Sequence, residues 1–161
     1  MKLSNSLVGI VYSIAGFGSL IAVTFLSTFL NKKDAFILMN ISMATIPLVI
    51  MASGIAENWI FFGICYSILS GLITIASVSI TTIQQQESTV YNIGKILSSS
   101  FVIATIFAPF GGILAAYFNW LLNPRLSLVI LGLLSSLLVI LIKSYEKKLT
   151  KKRTAIFVKE D

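Results

Sequence analysis

The sequence predicts an all-α membrane protein of five transmembrane helices, with its N-terminus outside and its C-terminus in the cytoplasm, and three observations predict it. Hydrophobic residues make up 57% of the 161 residues and charged residues only 11%, with a mean hydropathy of +0.95, whereas a soluble domain carries roughly 25% charged residues. Five apolar runs, none containing a charged residue, are long enough to cross a bilayer core; a core of roughly 30 Å needs about 20 helical residues. The basic residues are unevenly shared between alternate connectors: Lys32, Lys33, Lys95, Lys143, Lys147, Lys148, Lys151, Lys152, Arg153 and Lys159 fall on one side, and only Lys2 and Arg125 on the other. A bias of this kind places the richer side in the cytoplasm. A multi-pass protein of a cell membrane is therefore expected, of the kind found in a bacterial inner membrane.

Composition also removes several classes of function. The formal charge of +6 could suggest nucleic acid, but seven of the twelve basic residues lie at or after Lys143, past the last apolar run. The charge is a topology signal, and no nucleic-acid partner is expected. Histidine is absent, and the single cysteine, Cys65, lies mid-run. No disulfide framework, metal site or cofactor is expected. An intramembrane enzyme would need a nucleophile with its base, or a metal cluster, and the spans hold neither pattern, so no enzymatic activity is expected.

The runs occupy about 7–30, 35–56, 59–83, 96–118 and 126–142, followed by a basic cytoplasmic tail at 143–161. The first is too long for the apolar core of a signal peptide and no A-x-A site follows, so it reads as a retained helix. It carries small-residue ladders, Gly9 with Ser13, Ala15 with Ser19, and Gly18 with Ala22, which let a neighbouring backbone approach in lipid. The second has a kink position at Pro47 and an amide, Asn40, about five residues in. That amide needs a partner, either on a neighbouring helix or in a wet cavity.

The third run places Ser67, Ser70, Thr74, Ser77 and Thr81 at offsets of three and four, on one face. This face is either a packing seam or the wall of a substrate pathway, and Asn40 is grouped with it as a pathway candidate. The fourth run combines Pro109, where a bend is expected, with Gly111, Gly112 and a ladder of Ala108, Gly112 and Ala116. The bend is a hinge or a static kink. The fifth run, Leu- and Ile-rich with Gly132 and Ser136 as its only seam, reads as largely lipid-facing. Trp59, Tyr117 and Trp120 fall at the outer interface, and Tyr91 and Tyr145 at the inner one. The tail serves either as a solvated topological anchor or as an attractor of anionic lipid.

The stretch 83–116 organises the rest, because it contains the longest polar break between runs and the small residues around Pro109. Its connector, from Gln85 through Gly94 and Lys95 to Ser98, resembles the segment between the tenth and eleventh helices of major facilitator superfamily transporters. In the drug-efflux branch that includes macrolide exporters, this segment commonly runs Q-x-x-x-P, then a few polar residues, then G-R and a helix that begins with small residues. Gln85, Gly94 and Lys95 match the glutamine, the glycine and the basic residue, and Thr89 stands at the proline. The A-P-F-G-G at 108–112 is similar to the family's eleventh helix. The first two runs with their Asn31-Lys32-Lys33 turn resemble the eighth and ninth helices, and the fifth run with its tail the twelfth.

This resemblance implies a partial C-terminal bundle, helices eight to twelve of a family whose twelve helices form two halves around a midplane substrate site. It implies a truncated or split permease, concerned with efflux of a small molecule not named by these residues. Transport would then need a complementary half or self-association. The rival expectation is a self-sufficient small membrane protein, an immunity or assembly factor, acting by helix–helix binding.

Overall fold

The computed structural model describes residues 5–29, 32–89 and 91–157. It contains five helices: α1 (Asn5–Phe29), α2 (Lys32–Ile55), α3 (Trp59–Glu87), α4 (Ile93–Leu121) and α5 (Pro124–Phe157). Each is long and apolar enough to cross a membrane, and no strand occurs among the described residues. This is the all-helical, multi-pass fold that the five apolar runs predict. Lys2, Leu30, Asn31, Val90 and Lys159, which enter the predicted run, turn and charge count, lie outside the described residues.

The helix ends differ from the apolar runs in an instructive way. The third run ends at Ile83, but α3 continues through Gln84, Gln85, Gln86 and Glu87, and α4 already begins at Ile93. Gln and Glu are good helix formers in water as well as in lipid, so the helix outlasts its apolar part. The connector shrinks to 88–92, which places Gln85 inside α3 and Gly94 and Lys95 in the first turn of α4. Asn92 N and Ile93 N both donate to Thr89 O, at 2.9 and 3.1 Å, and close the turn. At the other end of α4, Pro124 opens α5, where its missing N–H costs nothing. Helix α5 continues past the fifth apolar run, through the basic stretch that follows it, to Phe157.

The packing order differs from the chain order. Helix α3 packs on both α1 and α2, and α2 packs on α3 and α5, giving the sequence α1, α3, α2, α5. Helix α4 touches α3 and α5 only lightly and has no buried residue. Helix α5 keeps most of its leucine and isoleucine side chains exposed and meets α2 through Gly132, one of the two residues of its expected seam. Gly54 of α2 sits so close to α5 that an added Cβ would meet Arg125 O and Val129 Cγ2 at 2.8 Å. An added Cβ on Gly132 would meet Pro47 O and Met51 N at 3.0 Å. One glycine on each helix is enough for a close crossing, and Pro47, fully buried, forms part of it.

The helix assignment passes through both Pro47 and Pro109. Each proline lacks the N–H that the carbonyl four residues earlier would accept, which leaves Met43 O and Thr105 O without their usual helical donors.

Candidate functional site

The serine and threonine face predicted on α3 divides into two parts. Towards the N-terminal half of α3, Ser67 and Ser70 meet α1. Ser70 Oγ and Ser19 Oγ are 2.7 Å apart, a hydrogen bond between helices. Ser67 lies against Gly18, whose added Cβ would meet Ser67 Oγ at 2.6 Å and clash with the Ser67 carbonyl. Gly71 continues the seam, since a Cβ there would lie 3.1 Å from Gly18 O. Helices α1 and α3 therefore cross backbone to backbone, as small residues permit in a solvent that gives apolar helices no other reason to associate.

Further along the same face the hydroxyls are satisfied locally. Thr74 Oγ1 donates to Ser70 O and Thr81 Oγ1 to Ser77 O, both at 2.9 Å, as helical threonines commonly do. Ser77 and Thr81 are exposed. Asn40 also answers its need within its own helix, its Nδ2 donating to Phe36 O at 2.9 Å, rather than reaching a neighbouring helix.

An open groove of about 440 Å³ runs beside the crossing, between Gly18, Ala22 and Phe25 of α1 and Ser67, Gly71 and Ile75 of α3. Its walls are mostly aliphatic, with one hydroxyl residue, Ser67. The chemistry available there is apolar contact with a single polar point, suited to an uncharged or amphipathic occupant. Among the described residues no three His, Cys, Asp or Glu side chains lie together.

The Ser19–Ser70 bond permits a direct measurement. In a double-mutant cycle with Ser19→Ala and Ser70→Ala, unfolding of the protein in bicelles is expected to show a coupling of about 0.6 kcal/mol, the typical value for a polar pair between membrane helices. A coupling near zero would mean that the two hydroxyls find other partners.

Helix α4 is arranged quite differently. It is fastened near its two ends and bare between them. Near its start, Gln84 Nε2 donates to Ser100 Oγ at 2.8 Å, and Lys95 Nζ lies 5.5 Å from the centre of the Tyr91 ring, within cation–π range. Near its end, the buried Ser127 of α5 donates through Oγ to Phe118 O at 2.9 Å. From there α4 and α5 diverge, leaving a wedge of about 380 Å³ lined by Ala115, Ala116 and Asn119 on one side and Ser127, Leu128 and Leu131 on the other. Ala116, the last member of the small-residue ladder, lines this wedge. Gly111 and Gly112 have open space where a Cβ would be.

Four participants were not evident from the sequence. Gln84 and Ser100 lie on opposite sides of the connector, and only the continuation of α3 past its apolar run brings them together. Ser127 carried no signal beyond its place after Asn123-Pro124. Ser79 is fully buried, and its hydroxyl has no partner among the described residues; its spacing of three from Ala76 puts it beside the face of α3 that Ala76 and Cys65 bury.

No protein-family model, curated protein or solved structure matches the chain.

Proposed function

We propose that the chain is part of a major-facilitator-type exporter of small molecules, equivalent to helices eight to twelve, and that transport requires further helices to cover α4. The observation that carries this reading is the contrast between α4 and the other four helices. Helices α1, α2, α3 and α5 pack through glycine crossings, whereas α4, with its ladder of Ala108, Gly112 and Ala116, has no buried residue. In lipid, a face of small residues gains stability only when a backbone comes close to it. The connector carrying Gln85, Gly94 and Lys95, and the A-P-F-G-G that follows, supply the family resemblance. The groove beside Gly18 and Ser67 supplies an apolar surface with one polar point, and the pathway candidates Ser67, Ser70, Thr74, Ser77, Thr81 and Asn40 belong to this reading.

The test is to place a photo-crosslinking amino acid at position 112 of the full chain and identify what it captures in native membranes. Capture of a multi-pass protein with six or more spans is expected. In cells stripped of their own exporters, the chain alone should leave drug accumulation unchanged, and co-expression with the captured protein should lower it several-fold. Capture of an unrelated membrane enzyme would select the immunity or assembly reading. Capture of lipid alone would remove the need for further helices.

A further inference from the structure

We propose that the point where α5 leaves its apolar span is a docking surface for anionic phospholipid headgroups, centred on Lys143, Lys147 and Lys148. Helix α5 has 34 residues, of which the membrane-capable span Pro124–Tyr145 takes 22. The remaining backbone, through Phe157, continues as the same helix. No glycine or proline occurs after Gly132 to interrupt it, so it leaves the bilayer in line with the span rather than folding back along the surface. Within 143–153 the sequence has six basic residues and one acidic residue, Glu146.

Helical rise then sorts these charges by height. At about 1.5 Å per residue, positions 143 to 148 cover roughly 8 Å along the axis, comparable to the headgroup layer of one leaflet, about 5–8 Å. Positions 151 to 153 lie roughly 12–15 Å above Lys143, past the outer edge of that layer. The backbone positions 143, 147 and 148 therefore fall at headgroup height, and positions 151 to 153 fall above it. The surface is continuous with the membrane itself, where phospholipid is present at high local concentration, and its charge complements an anionic headgroup and not a zwitterionic one. A basic residue near the surface is expected to favour an anionic lipid about fivefold.

The full chain would be reconstituted in nanodiscs of phosphatidylcholine and phosphatidylglycerol, with spin-labelled forms of each lipid reporting relative association with the protein. Phosphatidylglycerol is expected to be preferred about fivefold at low salt and much less at high salt. K143Q/K147Q/K148Q should bring the preference close to unity, while K151Q/K152Q/R153Q should leave more than half of it; circular dichroism establishes that both variants keep their helix. No preference in the unaltered chain, or equal losses from the two triplets, would overturn the proposal. So would displacement of phosphatidylglycerol by polyglutamate at charge equivalence, which would assign the surface to an acidic protein. The measurement is independent of whether further helices cover α4.

Discussion

Replacing Gly18 by leucine is expected to unfasten α1 from α3. The new side chain would have to enter where a Cβ alone already meets Ser67 Oγ at 2.6 Å and collides with the Ser67 carbonyl. A carbonyl on a packed helix cannot swing aside as a side-chain end can, so the helices themselves must separate. Overpacking of this kind costs about 1–3 kcal/mol, and separation would also break the Ser19–Ser70 bond and strip the groove of its second wall. Reversible unfolding in mixed detergent should show the midpoint falling by this amount. Gly16→Leu is the matched control, because nothing lies within 4 Å of its Cβ position, and it should change stability by less than about 0.5 kcal/mol. Equal losses from the two substitutions would mean that the crossing does not govern the effect, since leucine is the better helix former at both positions.

Gly112→Leu on α4 is expected to do the reverse, leaving the isolated chain intact while removing its association with other helices. Open space surrounds position 112, so the unfolding midpoint of the chain by itself should not move. If a helix packs along Ala108, Gly112 and Ala116, a leucine in the middle of that ladder holds the two backbones apart, and an association that depends on close approach should weaken at least tenfold. Co-purification from native membranes and drug accumulation in co-expressing cells both read this out. Retained association would place the partner on another face of α4.

These paired glycines also show what could and could not be read from the chain. The five spans were legible because lipid forces every backbone group to be satisfied within its own helix, and the apolar runs record that requirement directly. Their ends were less legible, because Gln84 to Glu87 and the lysine-rich residues after Ile142 extend helices that hydropathy alone would stop. The α1 seam was legible in Gly18, Ser19 and Ala22. The seam of α5 was legible in Gly132, and the exposure of α4 was not. Helix α4 has many small residues and none of them buried, while α5 has few and crosses α2 at Gly132. Small residues record that a close approach is permitted. Whether one occurs depends on the surface opposite, here Gly54, Pro47 and Met51, more than seventy residues earlier in the chain.

The serine and threonine face of α3 was legible as a face and not as a chemistry. Ser67 and Ser70 are drawn into the crossing with α1, Thr74 and Thr81 bond to their own helix, and Ser77 is exposed. Identical spacing in the sequence therefore leads to three different outcomes, decided by where α1 crosses.

The packing order α1, α3, α2, α5 has a consequence for how the protein is made. A ribosome delivers α1 and α2 before α3, and these two share no packed seam among the described residues. The Gly18 face of α1 stays uncovered until α3 has been inserted, because Ser19 waits for a serine 51 residues downstream. The Pro47 and Gly54 face of α2 waits longer still, for α5. Early insertion intermediates thus lack the contacts that would protect them, and the nascent chain should depend on an insertase or resist membrane proteases poorly until α5 arrives.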